Sequence, residues 1–347
     1  MSLLHARRRW ALAAGALVLV VILGWVWARH RAVPRTAAPR TGKLIGFYED
    51  SGTSGRGHGS WPAFQRHVGH LDIVAPFWYR MDQKGDIANV HPVNPHVVTL
   101  AHAHHVKVLP LVVNAGFMML DPRVRPRAVD AVATQVARDG YDGAFVDFEL
   151  LPMGERDNFA AFVTALAARL HRAHRELGVT VFPKVGSAAG PGRSYDYAVI
   201  GKESDHVLLM AYDEHQDAGP PGPVASIGWV RAGLRRALVD VPPGHLYLGL
   251  AQYGYDWVAP GHATTLSTKQ AAALASRQGV KVAWDPTYAE PHFRYTDRSG
   301  AIHDVWYEDA ASAKMRYDLA RSMGAVGVGM WRLNFEQPAF WSKVRAG

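Results

Sequence analysis

The stretch Tyr141-Asp142-Gly143-Ala144-Phe145-Val146-Asp147-Phe148-Glu149 decides how the rest of the chain is read. It is short, apolar and rich in aromatic residues, which predicts a strand over 143–149. On a strand alternate side chains share a face, so Phe145, Asp147 and Glu149 point one way. Val146 and Phe148 point the other way, toward covering helices. Two carboxylates this close do not ionise together comfortably, so one is expected to hold its proton to higher pH. A glutamic acid kept protonated near neutral pH is what a general acid requires. An isolated Asp-x-Glu pair is common and usually solvated or ion-paired. The apolar surroundings set this one apart, because buried acids are rare.

Working outward, seven more β-rich runs recur at 44–48, 72–79, 106–113, 179–185, 206–212, 246–252 and 325–331, with helical patterns at 128–139, 157–177 and 230–239. Eight strands separated by helices or long crossovers predict an α/β fold, a parallel (β/α)8 barrel, with a doubly wound open sheet as the alternative. The last run supports the barrel. In Gly327-Val328-Gly329-Met330-Trp331, alternation puts two glycines and Trp331 on one face, which suits a crowded interior with an aromatic floor at its mouth. The crossover between strands seven and eight is too long for one helix. A small α+β insertion is expected over about 258–324. In such a barrel the active site lies where strands end at the C-terminal face, so Glu149 is expected at the mouth and Asp147 one layer deeper.

The chain has 347 residues, 48% of them hydrophobic and 20% charged, which describes a globular protein. The formal charge of +8 comes from one end. Of 38 bases, seven are the arginines 7, 8, 9, 29, 31, 35 and 40, leaving 31 bases against 30 acids from residue 41 onward. The folded part is near neutral, which argues against nucleic acid as a partner. There is no cysteine, excluding disulfides, a thiolate nucleophile and cysteine metal sites. Residues 10–28 carry no charge and follow three arginines, which predicts a membrane-spanning signal-anchor with residues 1–9 cytoplasmic. Residues 29–42 read as a tether, and 43–347 as one extracytoplasmic domain. Cleavage near Val26-Trp27-Ala28 would instead release it as a secreted protein.

The acidic segment Asp142-Gly143-x-x-x-Asp147-x-Glu149 resembles the signature of glycoside hydrolase family 18, Asp-x-x-Asp-x-Asp-x-Glu. Met210-Ala211-Tyr212-Asp213 is similar to the family's Met-x-Tyr-Asp, Tyr253-Gly254-Tyr255-Asp256-Trp257 follows strand seven, and Trp331 closes strand eight. Tyr212-Asp213-Glu214-His215, the run 221–225 and the run 305–310 resemble the bacterial branch that includes spore-cortex peptidoglycan N-acetylglucosaminidases and germination proteins.

The resemblance implies substrate-assisted retaining hydrolysis of an N-acetylated polysaccharide such as peptidoglycan or chitin, without metal or other cofactor. Glu149 would be the acid, Asp147 would hold the acetamido N–H and Tyr212 its carbonyl. Asp213 and Trp331 would bind the sugar, with Asp142 and Met210 as further substrate-binding positions of the motifs. One position departs: the family's second Asp falls at Phe145. A lectin-like glycan-binding relative is the alternative, and the chain is expected to be a monomer.

Other residues leave two readings open. Asn114 ends strand three, either reaching the cleft or capping the strand. Tyr48, Trp78 and Tyr79 end strands one and two, where aromatic rings stack on sugars as often as they fill cores, and Tyr48 and Tyr253 are taken as substrate contacts. The histidines 102, 104 and 105 read as surface residues rather than metal ligands. The glycine-rich run 52–59 lacks the Lys-Ser/Thr of a phosphate loop and reads as a loop at the barrel mouth.

Overall fold

The computed structural model describes residues 42–50, 59–186, 190–258 and 263–345. The expected anchor at 10–28, its tether up to residue 41 and nearly all of the glycine-rich run lie outside these. Among the described residues no helix is long and apolar enough to cross a membrane.

In chain order the strands are β1 (Lys43–Tyr48), β2 (Ile73–Met81), β3 (Ile87–Asn89), β4 (Lys107–Val108), β5 (Leu111–Asn114), β6 (Gly143–Asp147), β7 (Glu176–Val181), β8 (His206–Leu209) and β9 (Leu246–Ala251). They continue as β10 (Tyr253–Val258), β11 (Thr264–Ser267), β12 (Ala283–Asp285), β13 (Glu290–Thr296), β14 (Ile302–Tyr307) and β15 (Gly327–Trp331). Eight staves close a parallel barrel: β1, β2, the pair β4 and β5, β6, β7, β8, β9 and β15. Closure is explicit, since β1 pairs in parallel with both β15 and β2. Between β9 and β15 the chain forms a second, five-stranded antiparallel sheet, ordered β11-β10-β14-β13-β12, with the helix Thr268–Gln278 against it.

Strand alternation sorts the core into two layers. Ile45, Phe47, Ile73, Ala75, Leu111 and Phe145 fill the barrel interior. Leu44, Val74, Val112, Val146, Phe148 and Val328 pack outward against helices such as Arg125–Arg138 and Arg156–His171. The interior is tight enough to require glycine. A Cβ at Gly178 would lie 2.5 Å from the Phe145 ring, and one at Gly329 would lie 2.5 Å from Leu208.

At the opposite end of the barrel from the mouth, three aspartates tie neighbouring staves together. Asp72 accepts from the Leu44 N–H, Asp142 from the Val108 N–H and Asp205 from the Leu177 N–H, each at 2.8 Å. Each stands just before its own strand, where a backbone donor of the adjacent strand lacks a ladder partner.

The helix expected over 157–177 ends at His171. His174 adopts φ 54°, and the chain enters β7 at Glu176, three residues before the strand predicted at 179–185. The run Arg172-Ala173-His174-Arg175-Glu176 has good helical propensity, but Leu177 and Val179 bury in the sheet instead, and burial outweighs propensity.

Candidate active site

Glu149 stands two residues beyond the end of β6, at the junction of two cavities. One, of about 650 Å3, is lined among others by Tyr212, Asp213, Glu214, Met210 and Trp229. The other, of about 560 Å3, is lined by Asp147, Asn114, Phe77, Phe117 and Trp331. Glu149 and Leu150 line both. Glu149 therefore has open space on either side of it.

The acidic segment is held by groups from three neighbouring elements. Asn114, at the end of β5, accepts from the Glu149 N–H at 2.9 Å and donates to its C=O at 3.0 Å. The Tyr195 hydroxyl donates to the Phe148 carbonyl at 2.8 Å, and the Ser194 hydroxyl to the Leu151 carbonyl at 2.6 Å. Thr180 of β7 donates a hydroxyl hydrogen bond to Asp147, which is 7% exposed.

Burial raises the proton affinity of both acids. Glu149 is pushed above the usual carboxylate range by burial first, then by the charges of Asp147 and Asp213. Asp147 is raised by burial, with the Thr180 hydrogen bond pulling it back. The Tyr212 hydroxyl is driven well above its ordinary value by burial and by the neighbouring acids, so it remains a donor. Its ring fits because position 249 is glycine; a Cβ there would lie 2.7 Å from Tyr212.

Asp213 follows Tyr212 in the left-handed region, φ 61°, uncommon for a residue with a side chain and frequent at binding sites. Tyr253 and Tyr255 of β10 both donate to its Oδ1, at 2.7 and 2.8 Å. The loop beyond Asp213 is clamped as well. Its Glu214 N–H donates to the Val224 carbonyl at 2.9 Å. The Val224 and Ala225 N–H groups donate to buried Glu290 at 2.8 and 2.7 Å. Glu290 also meets Arg316 at 2.8 Å, and Arg316 faces Glu308 in a second ion pair. Two carboxylates share one guanidinium here. Burial raises the proton affinity of both Glu308 and Glu290, and the Arg316 guanidinium between them pulls it back.

Trp331 sits at the end of β15 with ring centroids 5.5 Å from Phe47 and 6.3 Å from Phe77. Its peptide bond to Arg332 is cis. Below the acids, Phe145 occupies the interior with its ring 5.8 Å from Phe47 and 6.2 Å from His206.

Eight sequence-predicted positions converge on the mouth: Glu149, Asp147, Tyr212, Asp213, Met210, Trp331, Asn114 and, through Asp213, Tyr253. Two do not. Asp142 lies at the other end of β6, where it accepts from Val108 and pairs with His102 at 2.9 Å. Five residues of strand separate it from Asp147, about 16 Å at about 3.3 Å per residue. Tyr48 turns outward, fully buried against Phe64 and Trp78, with its hydroxyl on Asp50. Alternation along β1 gives the interior to Phe47 instead. Trp78 and Tyr79 are likewise core.

Thr180, Tyr195 and Phe77 were not singled out from the sequence, and Tyr255 and Glu214 stood there only within motifs, without a role of their own. A period of two finds some of them. Phe77 continues the inward series Ile73, Ala75, and Tyr255 shares a strand face with Tyr253. Thr180 lay inside the run expected at 179–185 but carried no signal of its own, since a lone hydroxyl on a strand is ordinary. Among the described residues, no three histidine, aspartate or glutamate side chains converge as a metal site.

The family model Glycosyl hydrolases family 18 matches residues 43–336. The chain is 30% identical over 274 residues to the putative sporulation-specific glycosylase YdhD of Bacillus subtilis (strain 168), covering 75% of this chain and 65% of that protein. It is 32% identical over 232 residues to the cortical fragment-lytic enzyme of the same organism, covering 65% and 54%. The chain thus spans 65% and 54% of the length of these two curated relatives. A solved chitinase from Chromobacterium violaceum ATCC 12472 superposes with a TM-score of 0.82 at 26% identity, over 88% of this chain and 98% of that one. Barrel, acidic segment and matched family agree: the chain belongs to glycosyl hydrolase family 18.

Proposed function

We propose that this chain cleaves β-1,4 bonds of N-acetylglucosamine-containing glycan, peptidoglycan or chitin-like, by substrate-assisted retaining catalysis. The observation that carries the reading is Glu149, an acid with raised proton affinity standing between two sugar-sized cavities. Glu149 protonates the glycosidic oxygen as the bond to the anomeric carbon breaks. The carbonyl oxygen of the substrate's 2-acetamido group attacks that carbon from the opposite face, closing an oxazolinium ring. Asp147, fixed by Thr180, accepts from the acetamido N–H, and its charge offsets the positive ring. The Tyr212 hydroxyl donates to the acetamido oxygen, and Trp331 forms the apolar floor under the sugar. Water then attacks the anomeric carbon while Glu149 takes its proton, and two inversions leave the configuration retained.

The N-terminal segment 10–28 is proposed to anchor the protein in the cell membrane, with the barrel outside the cytoplasm and acting as a monomer. The site is tested by offering the purified full chain chitooligosaccharides, peptidoglycan and a non-acetylated glucan, with products read by mass spectrometry. Cleavage confined to acetamido substrates, and lost in Glu149→Gln, is the expected result. Binding without products would make it a lectin-like protein. Undiminished turnover by Glu149→Gln would sink the assignment.

A further inference from the structure

We propose that the two cavities beside Glu149 select sugars by charge, accepting neutral or cationic N-acylated residues and rejecting any residue that carries a free carboxylate. This rests on the hydrolase reading above and names the class of glycan it acts on.

The carboxylic acids lining the larger cavity are Glu149, Asp213 and Glu214, and those lining the smaller are Asp147 and Glu149. No lysine, arginine or histidine lines either one among the described residues. Three bases stand next to lining residues in the chain, and each has a partner elsewhere: His215, between Glu214 and Gln216, meets the Pro223 carbonyl through Nδ1 at 3.0 Å. Lys184 lies between the lining residues Pro183 and Val185, yet its Nζ sits 4.1 Å from the centre of the Tyr197 ring. Arg332 follows Trp331, but its Nε is paired with Glu49 at 2.9 Å and its guanidinium lies over Phe335.

The acids are also fixed in place. Glu214 Oε2 accepts from the Ser226 N–H at 2.7 Å, and Asp213 is pinned by Tyr253 and Tyr255. Neither can swing away from an incoming anion. A carboxylate entering these cavities would lose water and meet like charge from fixed acids in a medium that screens less than bulk water. An uncharged acetamido sugar meets none of these costs, and an ammonium group is attracted. The substrate class is therefore an N-acetylhexosamine chain whose substituents near the cleavage point are uncharged. A 3-O-lactyl group is admitted when its carboxyl is capped as an amide and refused when it is free.

The test uses the full chain carrying Glu149→Gln, so that binding is read without turnover. Calorimetry compares three matched tetrasaccharides: all N-acetylglucosamine, one with alternate 3-O-lactyl groups as free acids, and the same compound with those carboxyls amidated. The free acid is expected to bind at least about tenfold more weakly than its amide, and the gap should narrow at high salt. Adding Glu214→Gln should narrow it further. Equal binding of acid and amide, including no binding of either, overturns the proposal. Turnover of the all-N-acetylglucosamine compound by the unmodified chain is read separately. Its absence would overturn the hydrolase reading, while the charge preference stands or falls on the acid-to-amide ratio.

Discussion

Asn114 grips the main chain of Glu149 from both sides, accepting from its N–H at 2.9 Å and donating to its C=O at 3.0 Å. The side chain of one barrel strand thus completes the hydrogen bonding of the next, at the point where the β6 ladder has ended. Glu149 leaves the strand yet keeps a fixed backbone where it lines both cavities.

Asn114→Ala should remove both bonds and leave Glu149 on a looser backbone. The expected result is a fall in kcat of about 10–100-fold with a smaller change in KM, because small displacements of a reacting group cost rate more than binding. The thermal midpoint should drop by the equivalent of about 1–3 kcal/mol for three partly buried hydrogen bonds, two to Glu149 and one to the Gly116 carbonyl at 2.8 Å. Steady-state kinetics beside calorimetry would read both. An unchanged kcat would show that the clamp does not position the acid.

The proposed first step needs Glu149 protonated, so under that mechanism the rate should fall as pH rises through its raised proton affinity. Asp213 contributes to that elevation as a like charge. Asp213→Asn removes the charge, favours ionisation of Glu149, and should move the high-pH limb of kcat/KM toward lower pH. A limb that stays in place, or moves to higher pH, would exclude Glu149 as the group that titrates.

Asp142 belongs to the support of the barrel rather than to its mouth. Asp142→Ala leaves the Val108 N–H without its acceptor and unpairs His102. A loss of about 1–2 kcal/mol in denaturant titration is expected, with kcat and KM at 25 °C unchanged. A selective loss of substrate affinity would instead place this residue in the binding machinery.

Phe145 and Gly178 are a fitted pair, the glycine leaving the space that the ring fills. Gly178→Ala alone should destabilise by about 1–3 kcal/mol through overpacking. In a Phe145→Ala background the same change should cost far less, since the ring it would strike is gone. A double-mutant cycle measures the coupling, and additive effects would show that the two sites are independent.

Much of this architecture was legible in the sequence, because strand alternation depends only on backbone geometry. The period of two separated Phe145, Asp147 and Glu149 from Val146 and Phe148, and aligned Gly327, Gly329 and Trp331 on one face. Motif spacing brought Tyr212, Asp213 and Tyr253 to the same end of the barrel. It misassigned Asp142, because a signature read along the chain does not say which end of a strand a residue occupies. It misassigned Tyr48 where alternation, applied strictly from Ile45, would have chosen Phe47.

What only the tertiary structure decided are the relationships between residues far apart in the chain. The Asn114 clamp, the Thr180 bond to Asp147 and the Glu290–Arg316–Glu308 cluster each join segments that the sequence does not pair. The raised proton affinity of Glu149 belongs here too. A carboxyl group carries its ordinary value along the chain, and only burial beside Asp147 and Asp213 changes it. The sequence determined which groups could do the chemistry and on which strand face they lie. The closing of the barrel decided their neighbours, and those neighbours set the charge and the space that suit Glu149 to the role proposed for it.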